Sequence, residues 1–521
     1  MSQPTGWTAE TACALQSALR LSQEAFAQQL GIAARTVAGW HAKPTLRPKS
    51  EMQQLLDTAL RQATPEAQAR FAQLTADRKP SRHNSQPSAE ATRRLASDAD
   101  MAFALDWLDR EAGWTAGTSR QRVSDRLAAI DVRALHDRGR RRGQVSQRAI
   151  AEALACYYGT PDGPYGFYRA KGDVDELVST SILTRPDWLD LDCPLNAAHD
   201  RLTVSLSPQP FRRQFHPDDA IERMAETLAL GIRMTAGLLY RLISVEAREH
   251  HIGGTLGSVP FVEYALTMDL LEGELIDAIA AGQPIQPGSL PLRRDYLPDL
   301  ASVLALSGRQ CAGGALALCA FARPADPYRG AADYVLLVQE RSGHVVNAAR
   351  RLAVIPKGFH EPLTDVRADA QIGATLRREM EEELFGREDV DSTLADQRRA
   401  DPMHLSRLSE PMRWLLAEPG RMRMECTGFG LNLVSGNYEY ASLVVVDDEE
   451  FWQRFGGLIE ANWESSRLHL YSTMDPDLVA EVVGDVAWSN EGLFAMTQGL
   501  HRLTEIGGSR VNLPPIEWET T

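Results

Sequence analysis

The run REMEEE at 378–383 concentrates acidic side chains at a spacing that could do chemistry. On a helix Glu379, Glu382 and Glu383 stand at i, i+3 and i+4, so their carboxylates share one face. Three crowded carboxylates repel one another unless water solvates them or a cation neutralises them. Hard oxygen ligands suit Mg²⁺ or Mn²⁺, which take a few carboxylates together with phosphate oxygens of a substrate. The competing reading is a solvated helix face, with Arg378 offsetting part of the repulsion. His250, His251 and Glu246 form a second, weaker cluster and read first as an exposed helix end.

The elements around the run decide between these readings. Leu376, Met380 and Leu384 recur at i, i+4 and i+8, so the helix can bury one face against a sheet. Upstream, RRLAVIPKGF reads as a strand ending in Pro-Lys-Gly, and DYVLLVQERSGHVV reads as a strand pair before it. Strand, Pro-x-Gly loop, then Arg-Glu-x-x-Glu-Glu resembles the Nudix family, over roughly 308–500. That resemblance implies metal ligation by Glu379, Glu382, Glu383 and the carbonyl of Gly358. It also implies a further carboxylate to activate water, and Glu439 in SGNYEYASLVVV stands where a strand begins; Glu382, Glu383 and Glu439 are the expected catalytic groups. The interval from Gly358 to Arg378 is longer than the family's, and Ala370 stands where the family places Glu, with Asp365 and Asp369 as nearby substitutes.

A second chemistry is written near the amino terminus. LSQEAFAQQLGIAARTVAGW (21–40) has two short helical patterns about a Leu-Gly turn. Ala25, Phe26 and Leu30 form one apolar face, and Ile32 and Val37 pack a second helix back on it. The stretch resembles the Cro/C1 (XRE) helix-turn-helix family over about 10–62. The resemblance implies that the second helix enters the major groove of double-stranded DNA. Arg35 and Thr36 would then reach bases or phosphates, and Gln23 the backbone. Trp40 fits the small core better than a DNA contact.

Composition limits the partners. The chain has 521 residues and a net charge of −15, but residues 1–80 carry nine Lys/Arg against six Asp/Glu. An acidic body repels phosphate, so a DNA contact belongs to the locally basic amino-terminal end. The basic run RGRRRG (138–143) reads first as a solvated face before a helix. Six scattered cysteines without CxxC spacing argue against a zinc site or a disulfide framework, and a reducing cytoplasm is expected. Met1–Gly6 lacks the pattern of a signal peptide. The most apolar long stretch, TLALGIRMTAGLLYRLIS (227–244), is interrupted by Arg233 and Arg241 and reads as a buried core helix, so no membrane partner is expected. Only five of the 55 basic residues are lysine, as in GC-rich bacterial coding sequences.

The expected architecture is multidomain. It comprises an all-α helix-turn-helix head (1–76), a flexible linker (77–94), a mainly α middle domain (95–299) and an α+β Nudix-like sandwich (300–521). The expected function is a homodimeric transcriptional regulator whose Nudix-like part senses, and can hydrolyse, a nucleotide-type small molecule. The alternative is a Mg²⁺-dependent Nudix pyrophosphohydrolase in which the head serves only localisation or assembly.

Overall fold

The computed structural model describes residues 7–19, 21, 26–27, 30, 32, 36–37, 40–41, 48, 50–64, 67–68, 71, 89–171, 177–205, 207, 211, 214–342, 350–387, 402–459, 465–513 and 516–521. The chain divides into two compact units, 1–84 and 85–521. In the first, helices Ala9–Leu19 and Ser50–Gln62 are accompanied by helical residues at Phe26–Ala27, Thr36–Val37 and Trp40–His41. Phe26, Leu30, Val37 and Trp40 are buried in one cluster with Trp7, Leu15, Leu56 and Phe71. Ile32 packs against it, as the apolar pattern requires. The Trp40 ring is a core side chain.

The second unit combines helices with mixed sheets, an α+β arrangement. Its strands are β1 (Gly166–Lys171), β2 (Leu177–Thr184), β3 (Leu189–Pro194), β4 (Asp200–Val204), β5 (Leu238–Arg248), β6 (His251–Pro260) and β7 (Gly313–Arg323). They continue with β8 (Asp333–Arg341), β9 (Leu352–Val354), β10 (Lys357–Phe359), β11 (Met422–Asn432), β12 (Asn437–Val446), β13 (Ser465–Ser472) and β14 (Glu517–Thr520). The large sheet runs β13-β8-β7-β12-β11-β2-β1-β14, with β10 on β7, β9 on β8 and β3 on β11. A small sheet has the order β4-β6-β5.

The middle of the large sheet is covered on both faces. Ala315, Ala317, Cys319 and Phe321 of β7 share a core with Ile372, Leu376 and Met380 of the acidic helix and with Leu384, which caps its end. The alternate residues Leu316, Leu318, Ala320 and Ala322 share a core with Leu493, Phe494, Met496 and Leu500 of the long helix Asn490–Ile506. A strand buried on both faces loses its polar alternation, which explains the continuous apolar run GALALCAFA. β7 and β12 pair in parallel, so the chain crosses over between them through β8–β10 and the acidic helix.

Several expectations need correction. The boundary expected at 299–300 falls inside the second unit, because β1, β2 and β3 join the same sheet as β7, β8, β11 and β12. The segment 95–299 is therefore not a domain of its own; beside its helices it contributes six strands, β1 to β6, among its described residues. The helix expected through 227–244 ends at Leu230, capped by Gly231 in the left-handed conformation (φ 70°). β5 follows, and it pairs with β6 across a turn at Glu249–His250. His250 and His251 consequently sit on a hairpin and not at a helix end. The expected linker 77–94 is too long, since Ala89–Ser97 is a helix that buries Ala91 and Leu95; its residues 77–88 lie outside the described residues.

The basic run closes the helix Val132–Arg142, and two of its arginines pair with other helices while Arg140 and Arg141 stay exposed. Arg138 bonds Glu226, and Arg142 reaches Asp277 at 2.5 Å. Those pairs join neighbouring helices, so one side of the run is a helix contact and the other, with Arg140 and Arg141, is the expected solvated face. No described helix is long and apolar enough to cross a membrane.

Candidate functional site

The acidic helix (Ile372–Glu383) is not a solvated face. Glu379, Glu381 and Glu383 are buried, and Glu382 is half-buried. Its first turn is held from outside: the Asp200 carboxylate, at the start of β4, accepts from the Ile372 N–H at 2.7 Å. A carboxylate at that position satisfies an otherwise unpaired amide and faces the positive end of the helix. Burial pushes the Asp200 carboxyl up to about 6, against the backbone N–H groups that favour its charge.

Each helix carboxylate has a different set of partners. Glu379 Oε1 accepts from Arg378 Nη2 at 2.8 Å. Arg378 also pairs with Glu361 at 3.4 Å and bonds the carbonyl of Phe359 at 3.1 Å. Burial works against the Arg378 charge, but Glu361, Glu379 and Glu382 raise its pKa above the ordinary value. Glu383 Oε2 accepts from the Lys357 N–H at 2.7 Å, and its Oε1 lies 3.5 Å from Gln339 Nε2. Glu381 turns to the opposite side and binds Arg387 at 2.8 Å and Ser409.

Gly358 and Glu379 are brought together. A Cβ on Gly358 would fall well inside contact of the Glu379 carboxylate, so glycine is needed for the helix to lie this close to β10. Across the next strand, a Cβ on Gly314 would sit 2.5 Å from the Gly358 carbonyl oxygen and 3.8 Å from Glu439 Oε2. The register Glu439↔Gly314 and Gly358↔Ala315 produces this approach.

Glu439 does not join the helix glutamates. It has the parity of Ala441, Leu443 and Val445, which pack with the long carboxyl-terminal helix, whereas Tyr438 and Tyr440 face the acidic helix. Its neighbours are Glu491, Lys357 and Asn432. Lys357 Nζ lies 2.5 Å from Glu491 Oε1, and Asn432 Nδ2 donates to Glu491 Oε2 at 3.1 Å. Burial, and then the Glu491 charge, push the Glu439 carboxyl up to about 8. Burial also acts on Glu491, but the Lys357 charge and hydrogen bond overcome it and lower that pKa. The pair therefore has one carboxyl that keeps its proton near neutrality beside one that is ionised. A cleft bordered by Arg351, Asn432, Asn437, Glu439 and Glu491 opens there.

Lys357 and Glu491 were not among the residues expected from sequence. The available signal was weak: Glu491 occupies the first turn of a helix whose cap is Ser489, a position where acidic residues are common for helix stability alone. The substitutes Asp365 and Asp369 are engaged within their loop. Asp369 Oδ2 accepts from the N–H groups of Leu363, Thr364 and Asp365 at 2.8, 2.8 and 2.9 Å. Asp365 Oδ1 accepts from Arg367 at 2.9 Å.

These placements bring Gly358 and Glu379 together and set Glu439 apart from the helix glutamates. Among the described residues no three His, Cys, Asp or Glu side chains are grouped to hold a metal ion. Glu379 and Glu383 are turned to Arg378 and to the Lys357 amide, and Glu439 lies on the other face of the sheet.

In the amino-terminal unit Thr36 is helical and half-buried, one residue before the core side chain Val37. Gln23 and Arg35 lie outside the described residues. His41 Nε2 meets Gln16 Oε1 at 2.8 Å, and Gln16 Nε2 donates to the Leu21 carbonyl at 3.0 Å, so the second helical pattern is tied to the first helix. No protein-family model matches the chain, and no curated protein matches it.

Proposed function

We propose that this protein is a DNA-binding transcriptional regulator, with residues 1–84 as the DNA reader and the larger unit as a Nudix-like sensor of a nucleotide-type small molecule. One observation carries the DNA reading. Phe26, Leu30, Val37 and Trp40, the apolar positions of the helix-turn-helix pattern, are buried together inside a separate compact unit. That packing leaves Thr36, one residue before Val37, half-buried at the edge of the core. Arg35 and Thr36 would then read the major groove and Gln23 would bind the backbone. A homodimer on an inverted repeat follows, because one short helix contacts few base pairs.

The engaged helix carboxylates favour sensing over hydrolysis. A sensor needs only unequal affinity for ligand in the DNA-competent and DNA-incompetent states. Selection of the full chain on a duplex pool tests the reading: one enriched sequence is expected, bound less tightly as salt rises. Binding that shows no sequence preference would overturn it.

A further inference from the structure

On a chain whose net charge is −15, one face of the helix Val132–Arg142 gathers positive charge. Arg133, Asp137, Arg140 and Arg141 stand at i, i+4, i+7 and i+8 and share that face, while Arg138 and Arg142 turn from it to Glu226 and Asp277. Arg133, Arg140 and Arg141 are exposed. Arg140 donates to the Asp137 carboxylate with its own side chain still 73% exposed. That hydrogen bond first, and then the charges of Arg140, Arg141 and Arg133, hold the Asp137 carboxyl below its ordinary value despite desolvation. All three guanidinium groups therefore lie within electrostatic reach of one carboxylate.

A fourth arginine arrives from a distant part of the sequence. Arg351 Nη2 donates to the Arg142 carbonyl at 3.3 Å and so fixes the approach to β9 at the end of this helix. The neighbouring Arg350 is exposed and left-handed (φ 62°), a conformation that a residue with a long side chain rarely adopts. Its Nη1 lies 3.8 Å from the place a Cβ would take on Gly139, so the guanidinium rests on the helix at the edge of the arginine face. The helix dipole does not account for this set. It favours a cation in the last turn, which Arg142 supplies, and disfavours one in the first, where Arg133 stands. Asp131, at that end, is committed as the cap to the N–H groups of Arg133 and Ala134.

We infer that this arginine face is a second contact for duplex DNA, one that grips the phosphate backbone without reading bases. At roughly 1.5 Å per residue, Arg133 and Arg140 lie about 10 Å apart along the axis. A duplex presents one charge per ~1.7 Å of its length, so the face meets several phosphates at once. Guanidinium groups bond phosphate oxygens in a two-pronged geometry. An exposed helix face does not enclose a small anion, but it can lie along a large one. The choice of DNA over an acidic protein rests on the reading of residues 1–84 as a DNA-binding unit; the contact itself concerns only the second unit.

Titration of the full chain with a random-sequence duplex across a salt series tests this. Each phosphate contact contributes about 0.9 to the log-log salt slope, so Arg133→Gln, Arg140→Gln, Arg141→Gln and Arg350→Gln combined should reduce that slope by about 2–4. Binding at low salt should weaken at least tenfold. Asp137→Asn, which removes the opposing carboxylate, should tighten binding. Both effects should persist in an Arg35→Ala background, so an amino-terminal unit that reads no sequence would leave them in place. Thermal melts establish that the variants are folded, and Asp137→Asn decides alone where the combined variant is not. Wild type that fails to bind the random duplex at low salt, or a folded variant that binds it as wild type does, would overturn the inference. Polyglutamate that displaces the duplex as effectively as an equal charge of competing duplex would overturn it in favour of an acidic protein partner.

Discussion

Lys357 and Glu491 form an ion pair at 2.5 Å with both side chains less than a tenth exposed, and so join β10 to the first turn of the long carboxyl-terminal helix. Removing one partner of such a pair leaves a buried charge without compensation, which costs about 3–5 kcal/mol. Lys357→Met should therefore destabilise the second unit by that order, more than Lys357→Met combined with Glu491→Leu. Urea melts of the single and double variants measure this. A single variant within about 1 kcal/mol of wild type would show that water reaches the pair.

The neighbouring Glu439 gives a pH dependence. Its folded pKa, about 8, is raised above the ordinary carboxyl value. The protonated form is thus favoured by folding, and its contribution is present at low pH and lost as pH rises through about 8. Glu439→Gln keeps the shape and removes the ionisation, so the variant should gain on wild type between pH 5 and pH 9. Parallel stability curves across that range would contradict the assignment.

Gly358 and Glu379 should be energetically coupled. Gly358→Ala drives a Cβ into the Glu379 carboxylate and strains its 2.8 Å bond to Arg378. Overpacking of this kind costs about 1–3 kcal/mol. In a double-mutant cycle with Glu379→Ala, the added cost of Gly358→Ala should largely vanish. Strict additivity would place the carboxylate elsewhere.

Much of this geometry was legible in the sequence, and the reasons for the rest are local. The i, i+4, i+8 apolar stripe of Leu376, Met380 and Leu384 predicted a buried helix face, and all three are fully buried. Phe26, Leu30 and Val37 were legible in the same way, by period. Periodicity cannot report the face on which a fully buried strand places a polar residue, because β7 and β12 are buried on both faces. Glu439 was accordingly grouped with the helix glutamates, although strand parity sets it with Glu491. The strands β1–β3 were missed as members of the large sheet because β11 recruits β2 and β3 from more than 200 residues away, and no local pattern encodes such pairing. The helix expected across 227–244 failed at Gly231, whose left-handed conformation ends the helix, and the irregular stretch 231–237 leads into the strand.

The helix carboxylates yield a prediction about divalent ions. Since Glu379 and Glu383 already have protein partners, millimolar Mg²⁺ or Mn²⁺ alone should shift the melting temperature no more than a monovalent salt of equal ionic strength. Specific binding to N would raise it with concentration. A metal-specific rise abolished by Glu382→Gln and Glu383→Gln would restore the hydrolase reading.

The proposed reading of duplex DNA by residues 1–84 is tested by the affinity of the full chain for its selected duplex, in wild type and Arg35→Ala, across a salt series. An enriched sequence, a log-log salt slope that reflects several phosphate contacts, and a loss of about 1–3 kcal/mol in Arg35→Ala are expected. A chain that enriches no sequence, with Arg35→Ala binding DNA as wild type does, would contradict it.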